Sequence, residues 1–332
     1  MDQLTDLKAI LHSKRANIFY LEYCRIMQKD GRVLYLTEAK KENHYFNIPI
    51  ANTTVILLGT GTSITQAAMR MLSQAGVIVG FTGGGGTPLL MANNVEHAIE
   101  WMTPQSEYRP TEYLHGWLSF WFDNNKRLIA AKQIQTTRID YLTAIWTKDR
   151  GLKQQGFDIN DASLQAALNT FLQRTNNANS QTELLLTEAQ LTKQLYKFAA
   201  NNSELNDFSR QHQSTDTAND FLNHGNYLAY GLAATTLWVL GIPHGFAVMH
   251  GKTRRGALIF DIADLVKDAL VLPWAFICAK ENASEQEFRQ QILQVFTDHQ
   301  ALEFMFNYVK EQALQYQQES DTDTCTNPMS GN

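Results

Sequence analysis

The sequence predicts an α+β protein of two domains, with a small β-rich, sandwich-like N-terminal domain and a larger all-α C-terminal domain. The chain has 332 residues, which is enough for about two domains. Short β-like runs alternate with turns over the first hundred residues, and from residue 113 onward apolar residues recur at helical period. Since 44% of the residues are hydrophobic and only 18% are charged, a disordered or coiled-coil chain is excluded.

The β-rich domain is predicted to cover residues 1–103. The tripeptide Lys29-Asp30-Gly31 separates its first two β-like runs and is typical of a tight hairpin turn. A short helix is predicted for 65–74, and the four glycines at 83–86 favour a loop. The predicted strands cover residues 16–25, 32–37, 45–50, 53–58 and 77–82.

The all-α domain is predicted for residues 113–318. A linker at 104–112 precedes it, because prolines bracket this polar stretch, and a flexible acidic tail at 319–332 follows it, because apolar periodicity ends there. The predicted helices cover residues 113–136, 138–147, 184–201, 216–240, 261–280, 285–298 and 302–318.

The formal net charge of −5 argues mildly against a nucleic-acid partner. However, no Lys or Arg follows Lys310, whereas four acidic residues do, so the rest of the chain is close to neutral. Local clusters of basic residues on a nearly neutral protein can still bind a polyanion such as DNA or RNA. We expect a cytoplasmic protein for three reasons. The three cysteines have no metal-type spacing, the N-terminus has no signal-peptide core, and no apolar stretch makes a credible membrane span.

A glycine-rich loop, Gly59-Thr60-Gly61-Thr62-Ser63, follows the apolar run 55–58 and resembles the start of a dinucleotide-binding fold. Ile64 stands where the third glycine would be, and no acidic residue ends the next strand. We therefore favour a strand-to-helix turn that Thr62 or Ser63 caps. A nucleotide-binding regulatory protein that uses this loop is kept as an alternative function.

Glu188 interrupts an apolar stripe formed by Leu184, Leu191 and Leu195 on one face of a predicted helix. A carboxylate at such a position points at the core unless it reaches solvent, is paired, or holds a metal ion. Burial would raise its pKa, whereas a bound cation would keep it ionised.

A second group of acids, Asp261, Asp264 and Asp268, falls on one face of the predicted helix 261–280. Such acids repel one another unless they are solvated or neutralised. His250 lies shortly before this helix, and imidazole with carboxylates suits a divalent cation such as Mg²⁺ or Mn²⁺.

Glu188, His250 and Asp264 could thus form a metal site on facing helices. The loop between His250 and the helix is basic and would supply positive potential for an anionic substrate. Its cationic residues are Lys252, Arg254 and Arg255. The alternative from the residues alone is a solvated acidic face with His250 in the core.

Several aromatic and histidine side chains nearby are interpreted as structural. Trp117 and Trp121, at spacing i, i+4, predict a core stripe, and Tyr227 and Tyr230 are expected to pack between helices. His244 shares the turn-rich segment of His250 but has no metal-type partner in sequence.

A longer pattern unites these residues. The segments GFAVMHG and FDIADLVKDALVLP, preceded by TEAQLTKQLY and LNHGNYLAYG, resemble the CRISPR-associated integrase that inserts new spacers, in its I-F (Ypest) branch. The resemblance covers most of residues 184–273 in detail, and the β-then-α layout agrees with it.

The resemblance implies a metal site of Glu188, His250 and Asp264, with Asp261 as a second acid of the same motif. Lys267 stands where many members carry arginine, and Asp268 where many carry proline. The residues expected to bind DNA are Lys252, Arg254, Arg255 and Lys267.

The implied activity is DNA strand transfer that depends on Mg²⁺ or Mn²⁺. The 3′-hydroxyl of a short duplex, the prespacer, attacks a phosphodiester at the border of the CRISPR repeat, and nuclease activity uses the same site. Implied partners are double-stranded DNA, a second copy of the chain bound through the β-rich domain, and the second core acquisition protein, fused to the interference helicase-nuclease. A non-catalytic DNA-binding scaffold, whose acids only space helices, is the remaining alternative.

Overall fold

The computed structural model divides the chain into two compact units, Met1–Tyr108 and Arg109–Asn332. The first contains the strands and the second is helical, which confirms the predicted fold class. The residues described are 15–39, 42–82, 100–102, 111–205, 207–211, 216–251 and 256–324. The glycine run at 83–86, most of the predicted linker, and Lys252, Arg254 and Arg255 lie outside them.

Two four-stranded sheets form the first unit. The first has the order β1-β5-β7-β8 and is parallel except for β7–β8; the second has the order β4-β3-β2-β6 and is antiparallel except for β2–β6. Both sheets and helix α1 (Gln66–Gln74) share one apolar core. The strands are β1 Asn17–Leu21, β2 Arg25–Lys29, β3 Arg32–Ala39, β4 Glu42–Ile48, β5 Thr53–Leu58, β6 Ser63–Ile64, β7 Ile78–Phe81 and β8 Glu100–Met102.

The predicted hairpin is present between β2 and β3. Asp30 and Gly31 have φ values of 50° and 72°, which a two-residue turn of the primed type requires. The prediction of one strand over 16–25 is wrong, since the chain turns at Tyr23, whose φ is 48°, and β1 and β2 enter different sheets. Continuous apolar and aromatic residues concealed this break.

The loop Gly59–Ser63 connects β5 to β6, and its backbone bonds to the chain between β1 and β2. The amides of Gly59 and Ser63 donate to the carbonyls of Leu21 and Cys24, at 2.8 and 3.0 Å. The cap of α1 is Thr65, whose hydroxyl accepts the amide of Ala68, so the expectation of Thr62 or Ser63 is wrong. Because the amides at both ends of the loop are bonded and the loop leads into β6 rather than directly into a helix N-terminus, it gives the nucleotide-binding alternative no support.

Ten helices form the described part of the second unit. The prediction of one helix at 113–136 is wrong, because Asp123 leaves the helical conformation and caps α3 by accepting the amides of Asn125 and Lys126. The helix at 162–177 has no counterpart among the predicted helices. The helices are α2 Glu112–Trp121, α3 Asn124–Lys148, α4 Arg150–Gln154, α5 Ala162–Asn177, α6 Gln181–Asn202, α7 Thr217–Val239, α8 Ala257–Val266, α9 Leu272–Lys280, α10 Glu285–Asp298 and α11 Ala301–Thr324.

The last helix enters the segment predicted as a flexible tail. It continues to Thr324, because no glycine or proline occurs between residues 302 and 324. None of the helices in the described ranges is long and apolar enough to cross a membrane.

Small residues let the central helices approach closely. A Cβ on Gly225 of α7 would lie 2.4 Å from Cγ1 of Val271, and a Cβ on Gly116 of α2 would lie 2.1 Å from the carbonyl oxygen of Ala313. Any larger residue would force these helices apart. Helix α7 thereby packs against α8 and α9, and α2 against α11, which fixes the elements around the candidate site.

Candidate metal centre

Three predicted ligands come together in the helical unit. Glu188 lies on α6, Asp264 on α8, and His250 on the segment that precedes α8. One ligand atom from each lies within 4.8 Å of the other two. Nε2 of His250 is 3.6 Å from Oε2 of Glu188, and its Nδ1 is 3.9 Å from Oδ2 of Asp264.

Glu188 occupies the stripe position that its sequence spacing indicates. Its neighbours Leu184, Leu191 and Leu195 are each 1% exposed, whereas the Glu188 side chain is 14% exposed. Burial and the carboxylate of Asp264 raise the pKa of Glu188, although the positive charge of Arg138 acts to lower it. A cation bound to this carboxylate would favour its ionised form.

Asp264 has a buried carboxylate to which no backbone amide of the described residues donates. Neither oxygen accepts a hydrogen bond from the residues that the structure describes, although the ammonium of Lys267 forms an ion pair with Oδ1. Burial alone would raise the pKa of Asp264, but the nearby charges of Lys267 and His250 lower it to about 2. An ionised, buried carboxylate with unfilled lone pairs is suited to a cation.

Asp261 has the opposite surroundings. It is fully buried, and its oxygens accept three consecutive backbone amides. Its Oδ1 also lies 2.7 Å from Nδ1 of His250, and because an ionised carboxylate only accepts, this nitrogen carries the proton. The amides belong to Val248 at 2.7 Å, Met249 at 3.2 Å and His250 at 3.0 Å. Asp261 therefore positions His250, and it leaves Nε2 directed towards Glu188 for a cation.

The protonation of His250 reflects these carboxylates. Burial alone would lower its pKa, but the bond to Asp261 and the charges of Asp264 and Glu188 raise the pKa to about 9. A cation that binds Nε2 therefore replaces a proton there. His244, in contrast, has its pKa lowered to about 4 by burial and does not join the candidate ligands among the described residues.

The helix predicted for 261–280 is present, but it is not regular, because a π-helical turn, Lys267–Val271, joins α8 to α9. The amide of Leu272 bonds the carbonyl of Lys267, five residues back. Pro273 follows and has no amide hydrogen, so the carbonyl of Ala269 accepts the indole N–H of Trp146 instead, at 2.9 Å. The proline thus accounts for the wider turn.

The π-turn directs two consecutive side chains into the site. Lys267 pairs with Asp264, and its ammonium lies 5.3 Å from the centre of the Tyr230 ring. Asp268 pairs with Arg138. The i, i+3 spacing of Asp264 and Lys267 also occurs in a regular helix, so the wider turn matters for the direction of Asp268.

Arg138 is a site residue that sequence reasoning missed. This buried side chain of α3 donates from Nε to Asp268 at 2.6 Å and from a terminal nitrogen to Glu188 at 3.0 Å. Burial would lower its pKa, but the carboxylates of Asp268 and Glu188 raise it. A signal existed, since Arg138 occupies the apolar face between Ile134 and Leu142, as Glu188 does on α6.

Of the two tyrosines predicted to pack between helices, Tyr230 is shown to do so, whereas Tyr227 contacts Tyr230 of the same helix. Tyr230 contacts Phe260 edge to face at 4.8 Å and Tyr227 at 6.2 Å. Phe260 in turn lies 6.2 Å from the ring of His250. These rings line one side of the site.

The donor set fits a hard divalent cation. Carboxylate oxygens and one imidazole nitrogen are ligands that Mg²⁺ and Mn²⁺ accept. The site also carries a negative excess, since Arg138 and Lys267 balance only part of its carboxylate charge. Its four carboxylates are those of Glu188, Asp261, Asp264 and Asp268.

Comparisons with known proteins identify the family of the chain. The family model described as CRISPR associated protein Cas1 matches residues 19–310. The chain is 54% identical over 316 residues to the CRISPR-associated endonuclease Cas1 of Pectobacterium atrosepticum, which spans 95% of this chain and 97% of that protein. It is 53% identical over 317 residues to the protein of the same name from Pseudomonas aeruginosa, across 94% and 98% of the two chains.

A solved structure shares the fold. The crystal structure of a TtCas1–DNA complex superimposes with a TM-score of 0.60 at 18% identity, over 89% of this chain and 91% of that one. Since the family match runs from β1 into α11 and both sequence relatives are more than half identical along nearly their whole length, the chain belongs to the CRISPR-associated Cas1 family.

Proposed function

We propose that this chain is a metal-dependent DNA endonuclease and integrase that inserts new spacers into a CRISPR array. The observation that carries the proposal is the convergence of Glu188, His250 and Asp264 within 4.8 Å in a member of the Cas1 family. Both sequence relatives are named endonucleases.

Glu188, Asp264 and Nε2 of His250 would hold Mg²⁺ or Mn²⁺. When bound, the cation supplies Lewis-acid charge at the scissile phosphate. Asp261 keeps the imidazole of His250 in the tautomer that presents Nε2, and Arg138 holds one oxygen of Glu188. This chain's residues thus provide a prearranged ligand set.

The reaction is a phosphodiester exchange. A DNA 3′-hydroxyl attacks the phosphate at the repeat border, so that one P–O bond forms and one breaks and no energy source is required. The same site hydrolyses DNA when water is the nucleophile. Lys252, Arg254, Arg255 and Lys267 contact the DNA backbone rather than base edges, which suits the insertion of spacers of arbitrary sequence.

The proposed partners are prespacer and repeat duplexes, a second copy of this chain through the β-rich unit, and the second core acquisition protein fused to the interference helicase-nuclease. Support for DNA comes from the solved relative of the same fold, which is a complex with DNA. We assign the chain to the I-F branch and to the cytoplasm, where it acts on the nucleoid.

The test is strand transfer of a short duplex into a repeat substrate with Mn²⁺. Glu188→Ala, His250→Ala and Asp264→Ala are expected to abolish it while the circular dichroism spectrum stays native. The matched control is Asp140→Ala, an exposed acid on α3, which should keep full activity. Full activity in any of the three site variants, or undiminished activity in EDTA, would contradict the proposal. DNA binding without metal binding or strand transfer would favour the scaffold.

A further inference from the structure

The segment 246–250, which carries His250, lies between α7 and α8 and contains no helix or strand. A metal ligand on an irregular segment keeps its geometry only when other elements hold the backbone. Asp261 does this for one end of the segment, since it accepts the amides of Val248, Met249 and His250.

Two tryptophans of α2 hold the other end. The indole N–H of Trp117 donates to the carbonyl of Phe246 at 3.0 Å, and that of Trp121 donates to the carbonyl of Ala247 at 2.8 Å. Every residue from 246 to 250 therefore has a backbone group bonded to a side chain from α2 or α8. The two anchors act on different groups, carbonyls on one side and amides on the other.

The tryptophans are themselves fixed. Trp117 is fully buried, and the Trp121 ring meets Phe246 edge to face at 5.0 Å. Helix α2 packs closely against α11 at Gly116, and the ring centres of Phe120 on α2 and Tyr316 on α11 are 4.5 Å apart. A buried indole N–H needs an acceptor, and here both acceptors belong to the same segment.

We propose that Trp117 and Trp121 are positioning residues that hold His250 in its ligand geometry through the backbone of its own segment. Asp261 holds the amides of residues 248–250, and the two indole bonds hold the carbonyls of residues 246 and 247. The inference rests on the proposed function, because it takes His250 as a metal ligand. The core stripe predicted from spacing i, i+4 thus has a second role.

The experiment uses the full-length protein with Trp121→Phe, which keeps an aromatic ring and removes only the N–H donor. Tyr141→Phe is the matched control, since it deletes a hydrogen bond of 3.0 Å from a buried side chain to the carbonyl of His299, outside the ligand segment. Two quantities are measured: amide exchange of residues 248–250 without metal, and the dissociation constant for Mn²⁺ by calorimetry.

Trp121→Phe is expected to accelerate amide exchange of residues 248–250 and to weaken Mn²⁺ binding about fivefold, the effect of one lost hydrogen bond. Tyr141→Phe should leave both quantities within about twofold of the wild type, given a bond of the same strength at a different place. Trp117→Phe provides a second variant with the same expectation.

Unchanged exchange and unchanged Mn²⁺ affinity in a folded Trp121→Phe protein would overturn the inference, as would an equal loss of affinity in Tyr141→Phe. If the wild type binds no Mn²⁺, the proposed metal-dependent function fails and this inference fails with it. If the wild type binds Mn²⁺ and Trp121→Phe binds it equally well, only the positioning role fails.

Discussion

Asp261 and Asp264 lie three residues apart on α8 and are both buried, yet their oxygens have different surroundings. Those of Asp261 accept three backbone amides and meet the protonated nitrogen of His250, whereas those of Asp264 accept no hydrogen bond from described residues. The first carboxylate therefore stabilises the fold, and the second is held for a ligand at a cost to stability.

The variants Asp261→Asn and Asp264→Asn should separate these roles. In EDTA, Asp261→Asn is expected to lower the free energy of unfolding by about 3 kcal/mol, because its amide group cannot accept all the donors that the carboxylate accepts. Asp264→Asn is also expected to lower the free energy of unfolding, because it leaves the ammonium of Lys267 without its carboxylate partner. Urea denaturation measures both, and calorimetry should show that Asp264→Asn no longer binds Mn²⁺. Mn²⁺ binding by Asp264→Asn equal to that of the wild type would refute this division.

The site could be predicted from sequence where a residue interrupts a local pattern or matches a motif of the family. Glu188 breaks an apolar stripe, and Asp264 follows a motif of the family, so both could be named in advance. Arg138 was missed because its partners Glu188 and Asp268 are 50 and 130 residues away in the chain. Its role depends on packing of α3 against α6 and the π-turn, which periodicity within one helix does not reveal.

At the scale of elements, the π-turn at Lys267–Val271 arranges the cationic side of the site. Pro273 causes it, because the missing amide leaves the carbonyl of Ala269 to Trp146. This feature could not be predicted from hydrophobic spacing, which runs without interruption through 261–280. The hairpin at Asp30 and Gly31 was predictable, in contrast, because its turn chemistry is contained in two adjacent residues.

Pro273→Ala should restore a regular helix, since the new amide can bond the carbonyl of Ala269. Asp268 would then turn away from Arg138, which also holds Glu188, and we expect Mn²⁺ affinity to fall about tenfold, as for loss of other groups that orient ligands. The free energy of unfolding should change by less than about 1 kcal/mol. Calorimetry and urea denaturation measure the two effects.

Pro49→Ala, in the β-rich unit, is the control for this substitution and should leave Mn²⁺ affinity unchanged. Wild-type Mn²⁺ affinity in Pro273→Ala would show that the π-turn does not contribute to the site. A similar loss of affinity in Pro49→Ala would show that proline replacement acts only through general destabilisation.

At the scale of the whole molecule, net charge and the family assignment point to different partners. The value of −5 suggests poor affinity for nucleic acid, yet the chain belongs to a family in which a solved member is bound to DNA. Four of the negative charges lie beyond Lys310, and the four carboxylates of the centre face Arg138, Lys267 and His250. Where the charges lie decides the local field, and the sum over the chain does not contain that information.

The ligands also link parts of the helical unit that are distant in sequence, since Glu188 belongs to α6, Asp264 to α8 and His250 to the segment between α7 and α8. A cation that binds only this folded arrangement stabilises it by about 2.7 kcal/mol at a concentration one hundred times its dissociation constant. For a unit of this size, the unfolding temperature should rise by about 5–10 °C. Scanning calorimetry with and without Mn²⁺ measures the shift. Glu188→Ala should abolish it and Asp140→Ala should retain it, whereas an equal rise in Glu188→Ala would mean that Mn²⁺ acts elsewhere on the protein.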